Sequence, residues 1–330
     1  MWFDELTGFS ESAAKVYAHL SPIDGQLFNK LSGETLNCGQ LTTPALVELR
    51  SMVDLALFPG KLSLVERVAD VQALHRDLAN AGALFQVASQ FNLLEMISPE
   101  VSPEQGISNY QFDRTQGPAC AIACGAGTIY RNYFAEVAGE GQVGQTRTRQ
   151  LDMLADVGNA LGNIDAKLWR MQNGYMLPSR AGLQAIDSNL SQCSEGQLDE
   201  LRALLRIGVQ ANTQVTLPNC QHRVTQAYCS ALPVAYSDLG SELWARFATL
   251  VLEAAYEATM AAAVLNAAKT GNSTVFLTLL GGGAFGNRTE WIITAIRRAL
   301  HLYQNAALEV QIVSYGSSHA EVRQLIAEFG

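Results

Sequence analysis

The sequence predicts an α/β protein with a mostly parallel sheet covered by helices. One observation is the alternation of strand-like and helical segments over the second half of the chain, from "RVTQAYCSAL" to "LEVQIVSYG". Another is the length of 330 residues with 48% hydrophobic and 16% charged side chains, which is ordinary for a globular protein with a packed core. No internal repeat and no clean linker divides the chain.

The first 62 residues predict a helical N-terminal extension packed on a main domain that runs from residue 63 to 330. Apolar spacing in "ESAAKVYAHL" and "PALVELRSMVDLAL" favours short helices between Pro and Gly turns. A helix is expected from about Ser63 to Gly82, followed by a short strand in "ALFQVAS". The stretch from Gln90 to Gln116 is too long for an ordinary connection, and its aromatic residues favour an ordered functional loop.

After this loop the pattern predicts helices first and alternating strands and helices later. Helices are expected in "GPACAIACGAGTIYRNYF", "QLDMLADVGNALG" and "EGQLDELRALLRIG", with strand-like "KLWRMQNGYML" and "GVQANTQVTL" nearby. "RVTQAYCSAL" is expected to be a strand, followed by a long Ala-rich helix that starts at "SELWARF". The last two strands are expected in "VFLTLLG" and "LEVQIVSYG", with the helix "RTEWIITAIRRALHLY" between them.

The charge of the chain argues against several classes of partner. Its 22 basic and 31 acidic side chains give a net charge of -9 with no basic run, which does not suit nucleic-acid phosphates or anionic lipid. The N-terminal "MWFDELTGFSES" lacks the basic start and apolar segment of a signal peptide, and no run of 18 uncharged apolar residues follows. We therefore expect a cytoplasmic protein, or an effector translocated without a signal peptide, with neither nucleic acid nor membrane as a partner.

Cysteine and histidine spacing favours free thiols and argues against a metal site. The six cysteines form no C-x-x-C pair, and the five histidines form no His/Cys grouping with zinc-ligand spacing. Neither a metal nor a cofactor is expected.

The stretch "VFLTLLGGGAFGN" contains G-x-G-x-x-G at Gly281, Gly283 and Gly286, between a strand-like run and a helix. In a dinucleotide-binding fold such a loop opens the first βαβ unit, and an acid ends the next strand about 20 residues later. Here the loop lies near the C-terminus, and Glu309 begins the following strand instead of ending it. The context therefore argues against binding of a nicotinamide dinucleotide.

The same glycines are nevertheless suited to a phosphate. Because they lack a Cβ atom they expose N–H groups at the end of a strand, and the N-terminus of the following helix adds partial positive charge. Phe285 within the loop could cover an apolar sugar or base face. The alternative is a tight strand–helix turn whose glycines only permit close packing.

The glycine loop, the helix after it and the final strand resemble the C-terminal end of macrodomains, the ADP-ribose-binding family. "GGGAFGN" is most similar to the poly(ADP-ribose) glycohydrolase-like branch. "RVTQAYCSALPVAYS" and "LVLEAAYEATMAAA" occupy the place of the family's central strand and the helix after it, and "LFQVASQFN" resembles its strand that ends beside the distal ribose. The resemblance implies a macrodomain-like, three-layer α/β/α fold with a mixed sheet.

The resemblance also implies roles for individual residues. Phe91 would bind the ligand, and Asn92 after it would contact the distal ribose and take part in catalysis. The diphosphate and this ribose would be wrapped by a continuous loop, namely Gly281, Gly282, Gly283, Ala284, Phe285, Gly286 and Asn287. On local sequence alone, Asn92 is equally typical of a turn that closes a strand.

The chain departs from the glycohydrolase branch in its first catalytic loop. The glycine run and paired glutamates of that branch are missing, and "QFDRTQGPA" precedes a helix instead. Asp113 is then the best carboxylate for glycosidic chemistry, because it could stabilise an oxocarbenium-like transition state and activate water. Arg114 or Gln116 would orient substrate or water. A helix cap or a salt bridge is the simpler explanation of Asp113.

Other carboxylates compete with Asp113. The long loop also holds Glu95, Glu100 and Glu104, which either border the ligand or are exposed. Glu253 and Glu257 lie four residues apart on the long helix, where a solvated face explains them without chemistry.

The sequence therefore predicts a protein that binds ADP-ribose and hydrolyses it from a modified protein, at the glycosidic bond of the distal ribose. The extension and the insertions are similar to those of divergent bacterial effector macrodomains that act on arginine-linked ADP-ribose, which suggests a ubiquitin-like target. One alternative is a non-catalytic reader of ADP-ribose or a related nucleotide. Another is a structural or partner-binding protein that uses the same fold without a ligand.

Overall fold

The computed structural model of the protein describes residues 1–137 and 143–329, and its elements are numbered in chain order. The α-helices are α1 (Trp2–Thr7), α2 (Ala13–His19), α3 (Leu46–Met52), α4 (Val71–Arg76), α5 (Gln116–Ala123), α6 (Gly125–Tyr133), α7 (Ala155–Leu161), α8 (Arg180–Gln192), α9 (Glu195–Ala203), α10 (Ser241–Thr270), α11 (Thr289–Leu302) and α12 (Ala320–Phe329). The strands are β1 (Leu20–Ile23), β2 (Gln26–Asn29), β3 (Thr35–Asn37), β4 (Gln40–Thr42), β5 (Ser63–Val68), β6 (Leu84–Ala88), β7 (Trp169–Gln172), β8 (Tyr175–Pro178), β9 (Gly208–Gln214), β10 (Arg223–Cys229), β11 (Thr274–Thr278) and β12 (Glu309–Ser314).

The centre of the fold is a seven-stranded mixed sheet with the order β4-β9-β10-β6-β11-β12-β5. The five strands from β10 to β5 run parallel to their neighbours, whereas β9 is antiparallel to both β10 and β4. The expected strands β6, β10, β11 and β12 all lie in the parallel part. The predicted α/β class with a mixed, mostly parallel sheet is therefore confirmed.

Helices cover both faces of this sheet, as two neighbouring residues of β6 show. Phe85 stacks on His75 of α4 at 3.8 Å between ring centroids, whereas the amide of Gln86 donates to Thr259 of α10 at 2.9 Å. Because successive side chains of a strand point to opposite faces, α4 and α10 lie on opposite sides of the sheet. The predicted three-layer arrangement is present.

Helix α10 is the centre of the core. Among the described residues it is the one helix long and apolar enough to suit a membrane span by length and composition, yet 89% of that apolar window is buried inside the fold. It packs against α3, α8, α9 and α11. Its apolar character is thus accounted for by helix and sheet packing.

Two buried glutamates of α10 correct the expectation of a solvated helix face. Glu257 is 3% exposed and accepts hydrogen bonds from Arg50 of α3 and Arg298 of α11, each at 2.5 Å. Glu253 is also buried and accepts from Arg202 of α9 at 2.7 Å. The sequence places the two acids on one helix face, but only the packing of four helices shows that this face is covered by arginines.

The first 62 residues contain the expected short helices, and they also contain strands that the sequence pattern did not predict. β1, β2 and β3 form a small antiparallel sheet, and β4 pairs with β9 at the edge of the central sheet. The aromatic and aliphatic residues of this extension share a second apolar core with the loop that follows β6. The extension is therefore built into the same packing as the long loop.

The expected helix from Ser63 to Gly82 is wrong in its first half. Ser63–Val68 is strand β5, whose six residues pair in parallel with β12. The helix begins only after Asp70, whose carboxylate accepts from the N–H groups of Gln72 and Ala73. The open edge of β12 decides this, because it supplies backbone partners that the local sequence cannot reveal.

All six cysteines are free, as expected.

Candidate active site

A cleft of about 770 Å³ opens at the carboxyl ends of the parallel strands. The segments that follow β6, β10, β11 and β12 line it, and the residues before α5 form the opposite wall. Ligands of open α/β sheets bind at this edge, and the volume is in the range of small-molecule sites. The long loop and the glycine loop, both singled out by the sequence, meet here.

The glycines of the loop after β11 have two different explanations. Gly281 and Gly286 have φ angles of +74° and +69°, and a Cβ at Gly281 would lie 2.4 Å from the Cβ of Ala231. Gly283 lies in the cleft wall without a positive φ, and a Cβ there would have no heavy atom within 4 Å. Backbone conformation and close packing therefore explain why glycine is present at 281 and 286. Gly283 instead borders open space in the cleft wall, where a ligand could approach its backbone.

The same loop offers backbone donors to the cleft. The N–H groups of Gly283, Ala284 and Phe285 donate no hydrogen bond among the described residues. The loop itself is closed by a hydrogen bond from the N–H of Asn287 to the carbonyl of Gly281 at 2.9 Å. Unpaired amides in a tight loop form a concavity that binds anions. The wall is therefore suited to phosphate oxygens.

A pair of alanine substitutions separates these explanations. Gly281→Ala is expected to lower the free energy of unfolding by about 2–3 kcal/mol, because the left-handed backbone and the contact with Ala231 both disfavour a Cβ. Gly283→Ala is expected to change it by less than about 0.5 kcal/mol. Urea unfolding of both variants checks this, and equal losses would show that Gly283 is also a packing glycine.

The opposite wall carries Asp113, Arg114 and Gln116. One carboxylate oxygen of Asp113 accepts from the N–H and the hydroxyl of Thr115 at 2.8 and 2.7 Å, so its other oxygen is free for a ligand or water. Arg114 is exposed and makes no ion pair among the described residues. The side-chain oxygen of Gln116 accepts from Val71 N–H at 2.9 Å, which ties the start of α5 to α4.

A carboxylate outside the predicted site also lines the cleft. Glu95 is 3% exposed, and neither of its carboxylate oxygens has a hydrogen-bond partner in the structure. Buried carboxylates are otherwise paired or hydrogen-bonded, because an unpaired one is costly. The signal in the sequence is an acid placed inside an apolar run, "LLEMI".

The backbone around Glu95 is, by contrast, fully held. Its own N–H donates to the hydroxyl of Tyr110 at 2.9 Å, and the next N–H, of Met96, donates to the side-chain oxygen of Gln90 at 2.7 Å. The carbonyl of Met96 accepts from the Gln90 amide at 3.2 Å and from the hydroxyl of Tyr175 at 2.5 Å. The fold therefore fixes the position of a carboxylate that it leaves unpaired.

Burial raises the pKa of Glu95 to about 8, although the positive charge of Arg131 and the nearby hydroxyl of Tyr110, which lies outside hydrogen-bond geometry to the carboxylate oxygens, both lower it. Arg131 is itself buried, stacks over the ring of Tyr228 at 3.6 Å and donates to Leu93 O at 3.0 Å. At neutral pH Glu95 is thus mainly a protonated acid. The carboxyl of Asp113 differs from it in being half-exposed and hydrogen-bonded to Thr115.

Aromatic side chains close the same end of the cleft. The rings of Tyr175, Tyr236 and Phe285 contact one another at centroid distances of 5.0 to 5.6 Å, and all three line the cleft. Such faces pack against the apolar side of a sugar or a base.

The structure brings together most, but not all, of the residues that the sequence selected. Those in the cleft wall are Asp113, Arg114, Gln116, Gly281, Gly282, Gly283, Ala284 and Phe285. Those outside it are Phe91, Asn92, Gly286 and Asn287. The side-chain amide of Asn287 instead donates to the carbonyl of Leu232 at 2.8 Å, which connects the glycine loop to the segment after β10.

The chain turns away from the cleft before it reaches Asn92. The chain lines the cleft up to Gln90 and again from Glu95 onward, whereas Phe91 between them is buried in the apolar core. The amide of Asn92 donates to Gln150 at 2.9 Å and its oxygen accepts from Leu94 N–H at 3.1 Å. In this structure the side chain of Asn92 is thus engaged within the turn, and Gln90 and Glu95 are the residues of this segment that line the cleft.

Comparison with known proteins gives similarity to solved structures alone. No family model matches the chain, and neither does any curated protein. A poly(ADP-ribose) glycohydrolase mutant from Deinococcus radiodurans in complex with ADP-ribose is similar at 14% identity and a TM-score of 0.42, over 86% of this chain and 91% of that one. The enzyme from Thermomonospora curvata, bound to the inhibitor ADP-HPD, is similar at 12% identity and a TM-score of 0.42, over 96% of both chains.

These structures are from the branch that the glycine loop resembles. At a TM-score below 0.5, however, the similarity assigns neither an activity nor residue roles to this chain. Within the described residues, no group of three or more His, Cys, Asp and Glu could hold a metal ion.

Proposed function

We propose that this protein binds ADP-ribose in the cleft and hydrolyses it from a modified protein. One observation carries the proposal, namely a cleft with unpaired loop amides in its wall and an unpaired, buried carboxylic acid beside them. The amides suit a diphosphate, and the acid suits a group that leaves with a proton. The resemblance of the glycine loop to macrodomains selects ADP-ribose among diphosphates.

In this arrangement the diphosphate lies against Gly283, Ala284 and Phe285, with Arg114 as the cation that faces it. The distal ribose then lies toward Glu95 and Tyr175, which line the cleft together. A half-exposed Asp113 is on the opposite wall, and its negative charge contributes to the raised pKa of Glu95. Two carboxyls with different environments are the arrangement that glycoside hydrolysis needs.

The proposed reaction uses Glu95 as the acid and Asp113 as the base. The bond between C1 of the distal ribose and the side-chain heteroatom of the modified protein breaks, and its electron pair goes to the heteroatom, which takes the proton of Glu95. Water attacks C1 and gives its proton to Asp113. The products are ADP-ribose and the unmodified protein. While positive charge develops at C1, the Asp113 carboxylate stabilises it.

Glu95 favours a hydrolase over a reader of ADP-ribose. A binding site gains nothing from a buried carboxyl without partners, because its burial costs stability. The modified protein would lie at the cleft mouth, where Ile97 and Phe112 are 62% and 67% exposed. A ubiquitin-like protein is the target that the sequence resemblance suggests.

Asp113→Asn tests the proposal, since Asn keeps an oxygen that can accept from Thr115. The variant is expected to release ADP-ribose from ubiquitin ADP-ribosylated on arginine about 10²-fold more slowly or worse, because the base is lost. Free ADP-ribose at about 100 times its dissociation constant should still raise the unfolding free energy by about 2.7 kcal/mol in both proteins.

Asp238→Asn is the matched control, because this aspartate is exposed and does not line the cleft. It should match the wild type in both measurements. Binding without release by the wild type would identify a reader. If ADP-ribose does not bind at all, both nucleotide proposals fail and the structural alternative remains.

A further inference from the structure

Glu11, in the segment between α1 and α2, forms an unusually complete set of hydrogen bonds to the long loop. Its carboxylate accepts from the N–H groups of Ile107 at 2.9 Å and Ser108 at 2.7 Å, and from the Ser108 hydroxyl at 2.5 Å. It also accepts from the hydroxyl of Tyr133 at 2.6 Å. All of these partners lie more than 90 residues away in the chain.

These bonds supply the cap of a short helix. Residues 108–112 form a 3₁₀ turn whose own N-cap residue, Ile107, has no side chain that can cap it. The first N–H groups of a helix need external acceptors, and a carboxylate is a strong one. Gly106, at a φ of +82°, permits the approach, since a Cβ there would lie 2.6 Å from the Glu11 carboxylate.

The capped turn leads directly to both proposed catalytic carboxyls. The hydroxyl of Tyr110, within the turn, accepts from the N–H of Glu95 at 2.9 Å. The N–H of Asp113 donates to the carbonyl of Tyr110 at 3.1 Å, so Asp113 directly follows the turn. Through Tyr110, one turn therefore contacts the backbone of both Glu95 and Asp113.

Other contacts between the extension and this turn act in the same direction. The N–H of Trp2 donates to the side-chain oxygen of Gln111 at 3.1 Å, and its indole N–H donates to Ile107 O at 3.3 Å. Phe3 and Phe9 share a buried apolar cluster with Ile107 and Tyr110. The apolar contacts hold the segment in place, and Glu11 supplies the directed bonds.

We infer that Glu11 is a positioning residue for hydrolysis, by which the N-terminal extension orders the turn that carries Asp113 and holds Glu95. This inference rests on the proposed function for its catalytic part. Its structural part, the ordering of residues 107–113 by Glu11, stands independently of any activity.

Glu11→Ala and Glu11→Gln test the inference, with Glu34→Gln, an exposed carboxylate of the same extension, as the matched control. In Glu11→Ala, kcat for release of ADP-ribose from arginine-modified ubiquitin is expected to fall on the order of 10²-fold, as for a catalytic group misplaced by about 1 Å. KM and the dissociation constant of free ADP-ribose should change by less than about threefold, because the glycine loop is untouched. Glu11→Gln should be intermediate, since the amide keeps one acceptor oxygen.

Hydrogen exchange of the same proteins reports on the turn itself. The peptide covering residues 107–113 should exchange faster in Glu11→Ala and to a lesser degree in Glu11→Gln, with β11 and α10 unchanged and with Glu34→Gln equal to the wild type. Faster exchange throughout the protein would overturn the inference, because Glu11 would then act only on global stability. An unchanged kcat, or an affinity for ADP-ribose that falls as much as kcat, would overturn it as well. If the wild type releases no ADP-ribose, the proposed hydrolysis fails, and unchanged exchange at 107–113 is then the result that rejects the ordering role.

Discussion

Glu95→Gln is expected to reduce the release of ADP-ribose from a modified protein by about 10²- to 10⁴-fold, the range for loss of a general acid. Gln has nearly the same shape as a protonated Glu, so the turn held by Tyr110 and Gln90 should remain in place. The affinity for free ADP-ribose should stay within about threefold, or less than about 1 kcal/mol. Single-turnover assays at saturating enzyme, beside calorimetric titration with ADP-ribose, measure the two effects separately.

The pH dependence of the wild type gives the same prediction a second form. Because burial raises the pKa of Glu95 to about 8, the acid is protonated below this pH, and kcat/KM should fall as pH rises through it. The free energy of unfolding should also fall as pH rises. The folded state binds the proton of Glu95 more tightly than the unfolded chain does, so the contribution of this group to stability is complete below pH 4.5 and is lost as pH rises to about 8.

Gln has no titrating proton, so Glu95→Gln should not show this loss of stability between pH 4.5 and 8. The wild type is expected to lose on the order of 3–5 kcal/mol from this group between pH 4.5 and 8, at about 1.36 kcal/mol per pKa unit. Urea unfolding of both proteins at several pH values checks the difference. Glu100→Gln, an exposed carboxyl of the same loop, is the matched control. Identical pH curves for wild type and Glu95→Gln would show that the pKa of Glu95 is not raised in the folded protein, and the role of Glu95 as the acid would be rejected.

Glu257→Ala is expected to lower the free energy of unfolding by about 3 kcal/mol, at the low end of the range for breaking a buried ion pair. The carboxylate accepts from Arg50 and Arg298, and its loss leaves both guanidiniums without their most buried partner. The loss is not larger, because the two arginines are 29% and 23% exposed and both still reach Asp199. Denaturant unfolding at neutral pH measures this change.

Glu328→Ala serves as the comparison for Glu257. Glu328 pairs with Arg297 at 2.7 Å on the surface, and such a solvated pair is expected to contribute far less to stability than the buried one. Added salt should narrow the gap between wild type and Glu328→Ala, whereas it should have little effect on the loss in Glu257→Ala. If Glu257→Ala lowers the free energy of unfolding by less than about 1 kcal/mol, then the packing of α10 stabilises this region and the ion pairs contribute little.

Elements with a strong local pattern could be predicted from the sequence. The runs that became β6, β10, β11 and β12 are apolar and bounded by turns, and α10 and α11 have helical apolar spacing. The glycine loop was found because its residue types are unusual in any context. Asp113, selected as an acid just before a helix in an unusual loop, lies in the cleft lining, and its role stays a prediction.

Residues whose roles depend on distant partners could not be assigned in this way. The same local pattern allowed Asn92 to be a ligand residue or a turn residue, and only the fold shows its bonds to Gln150 and Leu94 outside the cleft lining. Ser63–Val68 became a strand because β12 has an open edge, and Glu253 and Glu257 were covered by arginines of other helices. Burial and partners are properties of the assembled chain.

By itself the sequence determined the α/β class, the order along the chain of four of the five parallel strands and the glycine loop at the end of β11. The physical reason is that apolar periodicity and glycine both constrain the backbone locally. Only the tertiary structure decided that Glu95 is buried without a partner and that Glu11 caps the turn before Asp113. Desolvation and hydrogen bonding between residues far apart in the chain depend on how the layers pack, and no local pattern encodes them.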